Sequence, residues 1–93
     1  MEVSRRNFPE ILLDNDEVFI DKLLGIIESV DELSSVEIFK NSFSYHFRIA
    51  PSTYSYLEPT LQEVLMFVNL FGLKLDLSKS MKASSTIAFD IEI

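Results

Sequence analysis

The chain has 93 residues, 47% of them hydrophobic, and carries a formal net charge of −7 at pH 7. A chain of this length builds one hydrophobic core, and its composition excludes intrinsic disorder. The sequence contains no Cys and one His, which excludes a disulfide scaffold and a conventional zinc site. The acidic balance argues against nucleic acid or an anionic membrane as a partner.

The N-terminal segment precedes the first clear element. Two Arg residues are followed by Phe8 and Pro9 rather than by an apolar stretch, so this segment does not resemble a signal peptide. We expect a segment over residues 1–13 that is flexible over residues 1–7. The longest apolar run, Val64 to Val68, is far shorter than the roughly 20 residues of a membrane helix. These features predict a cytoplasmic protein.

The first element is a helix. Asp14 and Glu17 have the spacing of a capping box, and Leu13 and Val18 occupy the staple positions around it. Apolar residues then recur at spacings of three and four, namely Phe19, Leu23, Ile26, Val30 and Leu33, and a second apolar row runs beside them, namely Ile20, Leu24 and Ile27. This pattern predicts an amphipathic helix over residues 15–32.

The opposite face of this helix is acidic. It carries Asp21, Glu28 and Glu32 beside Gly25. Between residues 10 and 37 the sequence has nine acidic residues and one basic residue, so most of the net charge is local. Such a face can dock on a basic partner, imitate nucleic-acid phosphates, or serve only to keep a small protein soluble.

A β-hairpin follows. Its second strand alternates apolar and polar residues, with Phe43, Tyr45, Phe47 and Ile49 on one face. A turn at residues 41–42 places Ile38 opposite Tyr45 and Val36 opposite Phe47, which puts both apolar sets on the same face. Because Asn-Ser lacks the Gly that favours a tight turn, a longer loop with the same inward set is an alternative.

The second helix is predicted over residues 59–71. Pro59 suits the first helical position and Gly72 the C-terminal stop. Ser55 and Glu58 form a rival capping box, which would start the helix earlier. Between Val64 and Phe71 only Asn69 is polar, so this helix has apolar residues on nearly every side.

Two strands close the chain, over residues 73–77 and 86–93. The last one alternates apolar Ile87, Phe89, Ile91 and Ile93 with more polar neighbours. The order αββαββ predicts the α+β class, with a four-stranded, mainly antiparallel sheet and two helices on one face. We expect a single domain over residues 1–93.

Little in the sequence points to catalysis. In the predicted register Glu37 faces His46 across the strands, with Arg48 on the same outer face. This polar cluster has no nucleophile fixed beside it by spacing, and a solvated charge cluster is the simpler interpretation. Asp14 opens a pattern like a calcium loop, but Phe19 and Gly25 occupy its diagnostic Gly and Glu positions. We therefore expect no enzyme, no metal and no cofactor.

More apolar side chain is present than two helices on one sheet can hide. The predicted surplus comprises Met66, Phe67 and Leu70 on the second helix, together with Phe39, Tyr54 and Tyr56. Exposed apolar patches of this kind mark interaction sites. A homodimer, another protein, or residues 1–13 wrapped over the second helix could cover them.

The sequence therefore predicts a small acidic protein-interaction module of the adaptor, inhibitor, immunity or chaperone-like kind, acting as a homodimer or bound to a larger protein. The acidic face would steer association and the apolar residues would supply affinity. One alternative is a small-molecule binder or minor enzyme whose pocket lies between sheet and helices, near Tyr45 and His46. A third hypothesis is an acidic mimic of nucleic acid.

Overall fold

The computed structural model describes residues 1–6, 14–40, 44–70, 74–76 and 86–92. It has the predicted α+β class, but the sheet is mixed and has five strands. The elements are β1 (Glu2–Arg6), α1 (Asp14–Val30), β2 (Ser35–Lys40), β3 (Ser44–Ala50), a 3₁₀ turn (Tyr54–Tyr56), α2 (Leu57–Leu70), β4 (Lys74–Asp76) and β5 (Ile87–Glu92).

The strand order in the sheet is β1-β2-β3-β5-β4. The β1 strand runs parallel to β2, and every other neighbouring pair is antiparallel. Since α1 connects two adjacent parallel strands, the first half of the chain is a βαβ unit rather than the helix-then-hairpin of the sequence prediction.

The β1 strand corrects the predicted order αββαββ. The sequence predicts only an N-terminal segment over residues 1–13, yet residues 2–6 pair with β2 from Ser35 to Phe39. All five residues of β1 are exposed, so the strand has no apolar alternation to reveal it. Residues 2–6 therefore lie in the sheet rather than over the second helix, and residues 7–13 fall outside the described part of the chain.

The hairpin has the predicted inward face in a different register. Ile38 lies opposite Phe47 and Val36 opposite Ile49, a shift of two residues from the tight-turn prediction. A two-residue shift preserves the side-chain alternation, which is why the apolar faces still coincide. This pairing fits the longer-loop alternative, and residues 41–43 themselves are not described.

Both helices contribute to one hydrophobic core with a single face of the sheet. The largest fully buried side chains are Tyr45, Phe47, Phe89, Ile20, Leu23, Ile27, Ile38, Ile49 and Ile91. The rings of Phe47 and Phe89 lie opposite each other on β3 and β5 and stack at 5.4 Å. The alternation predicted for the last strand places Ile87, Phe89 and Ile91 in this core.

The helix ends differ slightly from the prediction. The α1 helix ends at Val30 rather than at residue 32, and Leu33, expected on its apolar face, is 81% exposed. The α2 helix begins at Leu57, two residues before Pro59, and follows the 3₁₀ turn directly. Pro59 still lies in the first turn, where its missing N–H costs nothing. Neither helix in the described part of the chain has the length and apolarity to cross a membrane.

Candidate interaction surface

Asp31 fixes the connection between α1 and the segment that precedes α2. Its carboxylate accepts hydrogen bonds from the backbone N–H and the hydroxyl of Ser52, both at 2.7 Å, and from the N–H of Leu33 at 3.3 Å. Burial alone would raise the pKa of Asp31, but these donors outweigh burial and hold the pKa below its ordinary value. Asp31 thus links the end of α1 to the segment that leads from β3 to the 3₁₀ turn.

The two helices pack side by side in opposite directions. Phe19, near the start of α1, stacks on Phe67, near the end of α2, with ring centroids 5.3 Å apart. At the other end, the second half of α1 lines a groove with Tyr56, which directly precedes α2. The outer side of this pair of helices is the surface that the sheet does not cover.

The predicted acidic face lies on this outer side. Asp21, Glu28 and Glu32 are all exposed. The Asp21 carboxylate is 3.6 Å from the guanidinium of Arg5 on β1, an exposed ion pair of little stabilising value. Glu28 and Glu32 instead line an open groove of about 630 Å³, whose other lining residues are Gly25, Ser29, Val30 and Tyr56.

An aromatic ring beside two carboxylates is an arrangement suited to a cationic side chain. The ring face of Tyr56 can attract a cation, and the carboxylates of Glu28 and Glu32 can pair with its charge. Tyr56 is 39% exposed, so part of this residue is accessible from the groove. The chemistry of this lining is therefore compatible with a Lys or Arg side chain.

Gly25 lies in the middle of the acidic row. It is exposed in a helix interior, and a Cβ added there would meet nothing within 4 Å. A glycine at such a position costs about 0.5–1 kcal/mol relative to alanine. Packing inside the described part of the protein does not explain this residue.

The structure exposes only part of the predicted apolar surface of α2. Met66 is 60% and Leu70 82% exposed, as expected for contact residues. Phe67 is instead 6% exposed and belongs to the core, so it is not available as the contact residue predicted. Val18, next to Phe19, adds a third exposed apolar side chain at this end of the helices.

The other predicted contact residues lie apart. Tyr54 is 73% exposed in the 3₁₀ turn, two residues before Tyr56. Phe39 is 38% exposed on the outer face of the sheet, which is the face opposite the helices. The structure therefore brings Tyr56 to the acidic row but leaves Phe39 on a separate surface.

The predicted polar cluster is also divided. Glu37 lies opposite Arg48, whereas His46 lies between Phe39 on β2 and Asp90 on β5. The Nδ1 atom of His46 is 2.5 Å from Oδ1 of Asp90. A carboxylate can orient an imidazole as a base. The strand neighbours of this pair are Phe39, opposite His46, and Asp76, opposite Asp90. Neither neighbour is a Ser, Thr or Cys that could act as a nucleophile.

The expected ligand pocket near Tyr45 and His46 does not have the predicted geometry. Successive strand residues point to opposite faces, so Tyr45 is fully buried under the helices while His46 lies on the outer face. The Tyr45 hydroxyl donates a 2.8 Å hydrogen bond to Asp16, and Lys40 Nζ lies 4.3 Å from the centre of its ring. Burial, then the hydrogen bond and charge of Asp16, raises the pKa of Tyr45 well above its ordinary range.

Three acidic residues have roles that sequence reasoning missed. Asp16, Asp31 and Asp90 bind partners 29, 21 and 44 positions away in the chain. Of these three, only Asp31 could have been recognised from its neighbours in the sequence. An Asp between a helix and a strand, with Ser34 three positions later, is typical of a turn. Within the described ranges, no group of three or more His, Asp or Glu residues could hold a metal ion.

No known protein-family model matches the chain, and no curated protein matches it significantly.

Proposed function

We propose that this protein is a non-enzymatic interaction module that binds a basic partner protein through the outer side of its two helices. We call this region the helical surface and define it by Val18, Asp21, Gly25, Glu28, Glu32, Tyr56, Met66 and Leu70. The observation that carries the proposal is the exposure of Met66 and Leu70 on the same helical layer as the acidic row.

The apolar end of the helical surface would supply affinity. Met66 and Leu70 are one turn apart on α2, and Val18 lies beside the Phe19 ring that stacks on Phe67. Exposed apolar side chains such as these gain roughly 25 cal/mol for each Å² of apolar surface that a partner covers. Methionine also adapts its shape to a partner surface.

The acidic end would steer association and select a basic partner. Glu28 and Glu32 share the groove with the Tyr56 ring, whereas Asp21 is already paired with Arg5. Exposed charges of this kind raise the association rate more than they lengthen the lifetime of a complex. We therefore expect Glu28 and Glu32 to matter more than Asp21 for recognition.

Gly25 supports close approach by a partner at the acidic row. Gly25 lowers the stability of α1 and has no side chain, so it leaves open space in the groove between the neighbouring side chains. A partner side chain can enter the groove there without meeting a Cβ. Sites that sacrifice local stability in this way are often functional.

Affinity capture with the full chain tests the proposal. The wild type and Met66→Ser/Leu70→Ser are immobilised and exposed to lysate of the native host, with Gln62→Ser/Asn69→Ser as a control on exposed polar positions of the same helix. A partner in the sense proposed is retained by the wild type and the control but lost from the first variant. Retention of the same proteins by all three would contradict the proposal.

A second pair of variants tests the acidic end. Glu28→Gln/Glu32→Gln is compared with Glu58→Gln/Glu63→Gln, which removes the same charge from exposed positions of α2. The first variant should bind the captured partner more slowly, and its binding should depend less on salt. Equal association rates for the two variants would show that the groove does not recognise the partner.

A further inference from the structure

The β1 strand is the terminal strand of the sheet and pairs with β2 along one edge. All five of its residues are exposed. Exposed edge strands can pair with another chain, and proteins commonly protect them with charged residues. The β1 strand carries such charges at Glu2, Arg5 and Arg6. Their order also allows opposite charges to meet when two β1 strands pair with each other.

The register with β2 fixes which backbone groups face outward. Glu2 donates its N–H to the carbonyl of Ser34, and in a parallel pair the backbone groups of alternate residues point the same way. Glu2, Ser4 and Arg6 therefore direct their backbone groups toward β2, and the alternate residues Val3 and Arg5 direct theirs toward the outer edge. The side chain of Val3 is 37% exposed at that edge.

We propose that a second copy of this chain pairs with β1 in an antiparallel arrangement about a two-fold axis at Ser4. This register places Val3 opposite Arg5 of the second copy as a hydrogen-bonded pair. It also places Glu2 opposite Arg6 of the second copy, a non-hydrogen-bonded pair in which side chains approach most closely. Two oppositely charged pairs form, one at each end of the joined strands.

The other registers that use the same edge groups lack this complementarity. Centring the axis on Val3 sets Glu2 opposite Ser4, and centring it on Arg5 sets two like charges opposite each other. Only the axis at Ser4 overlaps all five residues and matches both charges. The result is an isologous dimer with one continuous ten-stranded sheet, ten being twice the five strands of one copy. It leaves the helical surface open to a partner.

Analytical ultracentrifugation of the full chain tests this dimer. We expect the wild type to self-associate reversibly between about 10 µM and 1 mM, as a small edge interface should. Glu2→Arg and Arg6→Glu each create like-charged pairs and should weaken the dimer by at least about tenfold. The double variant Glu2→Arg/Arg6→Glu restores opposite charges and should dimerise like the wild type.

An equimolar mixture gives the sharpest result. Glu2→Arg and Arg6→Glu, each weakened in its own self-association, complement one another and should form a heterodimer when mixed. Val3→Pro provides a backbone test, because it removes an outward N–H while leaving the β1 to β2 bonds in place. It should abolish association with an unchanged melting temperature.

Two outcomes would overturn the proposal. A wild type that stays monomeric at about 1 mM would show that the charges of β1 only protect the edge. A dimer indifferent to the charge exchange, but abolished by Met66→Ser/Leu70→Ser, would place self-association on the helical surface. Neither outcome depends on whether the helical surface binds a basic protein, because that interaction is measured separately.

Discussion

The carboxylate of Asp31 accepts two 2.7 Å hydrogen bonds from Ser52, a residue 21 positions further along the chain. Through them the turn after α1 is joined to the loop that leads from β3 to α2. Asp31 is 3% exposed although it lies in the most acidic stretch of the sequence. This carboxylate of the acidic stretch is therefore structural rather than part of an exposed acidic face.

Asp31→Asn should destabilise the protein by about 1–3 kcal/mol, because the replacement weakens hydrogen bonds to a buried charged acceptor. Urea unfolding followed by circular dichroism measures the change. Glu32→Gln, an exposed neighbour, is the matched control and should stay within about 0.5 kcal/mol of the wild type. Equal effects of the two changes would mean that Asp31 does not hold the loop.

The Asp31 carboxylate also makes the difference in stability between the wild type and Asp31→Asn depend on pH. Because folding lowers the pKa of Asp31, its contribution is fully present above the unfolded pKa and is lost as the pH falls through the folded pKa. The gap between wild type and Asp31→Asn should thus shrink as the pH is lowered below about 4. A gap that stays constant down to pH 2 would contradict the lowered pKa.

Phe47→Ala should cost about 3–5 kcal/mol, because Phe47 is fully buried and stacks on Phe89. His46→Ala, on the opposite face of the same strand, should cost less, since it removes one partly buried hydrogen bond to Asp90. Denaturant titration of both variants decides the question. A larger cost for His46→Ala would mean that β3 presents the other face to the core.

Tyr45→Phe tests the contact between β3 and the start of α1. Losing the hydroxyl that donates to Asp16 should cost about 0.5–1.5 kcal/mol near neutral pH. Folding raises the pKa of Tyr45, so its stabilising contribution is present below the unfolded pKa and disappears as the pH rises through the folded one. The variant should therefore lose less stability than the wild type above about pH 10, as measured by thermal unfolding.

Gly25→Ala should stabilise the free protein by about 0.5–1 kcal/mol, because the added methyl group meets no neighbour and alanine favours the helix. The same change should weaken binding of the captured partner if the open space at Gly25 receives a partner side chain. Thermal unfolding and a binding titration measure the two effects. Higher stability with unchanged binding would remove Gly25 from the proposed contact.

The sequence predicted the elements whose apolar residues face the core. The spacing in α1 and the alternation in β3 and β5 identified most of the buried side chains, including Phe47 and Phe89. The β1 strand was missed because an exposed edge strand has no buried face, so periodicity carries no information about it. The hairpin register predicted with a tight turn differs from the observed one by two residues, because side-chain alternation does not specify the length of the loop.

The exposure of the candidate contact residues agrees with the sequence pattern in part. Exposure of the acidic row and of Met66 and Leu70 agrees with the pattern, but Phe67 is buried because its ring fills the space beside Phe19. Which side of an apolar helix meets its neighbour depends on how the two helices pack, and one helix sequence does not specify that. The partners of Asp16, Asp31 and Asp90 depend equally on the three-dimensional arrangement.

The exposed methyl group of Met66 reports directly on the helical surface. With ¹³C-labelled methionine methyl groups, the Met66 resonance of the free protein should broaden strongly with a soluble paramagnetic probe, while that of Met1, which packs against the core, serves as reference. When the captured partner is added to saturation, we predict that the Met66 signal shifts and becomes protected from the probe. A Met66 signal that stays unshifted and equally accessible in the saturated complex would contradict binding through the helical surface.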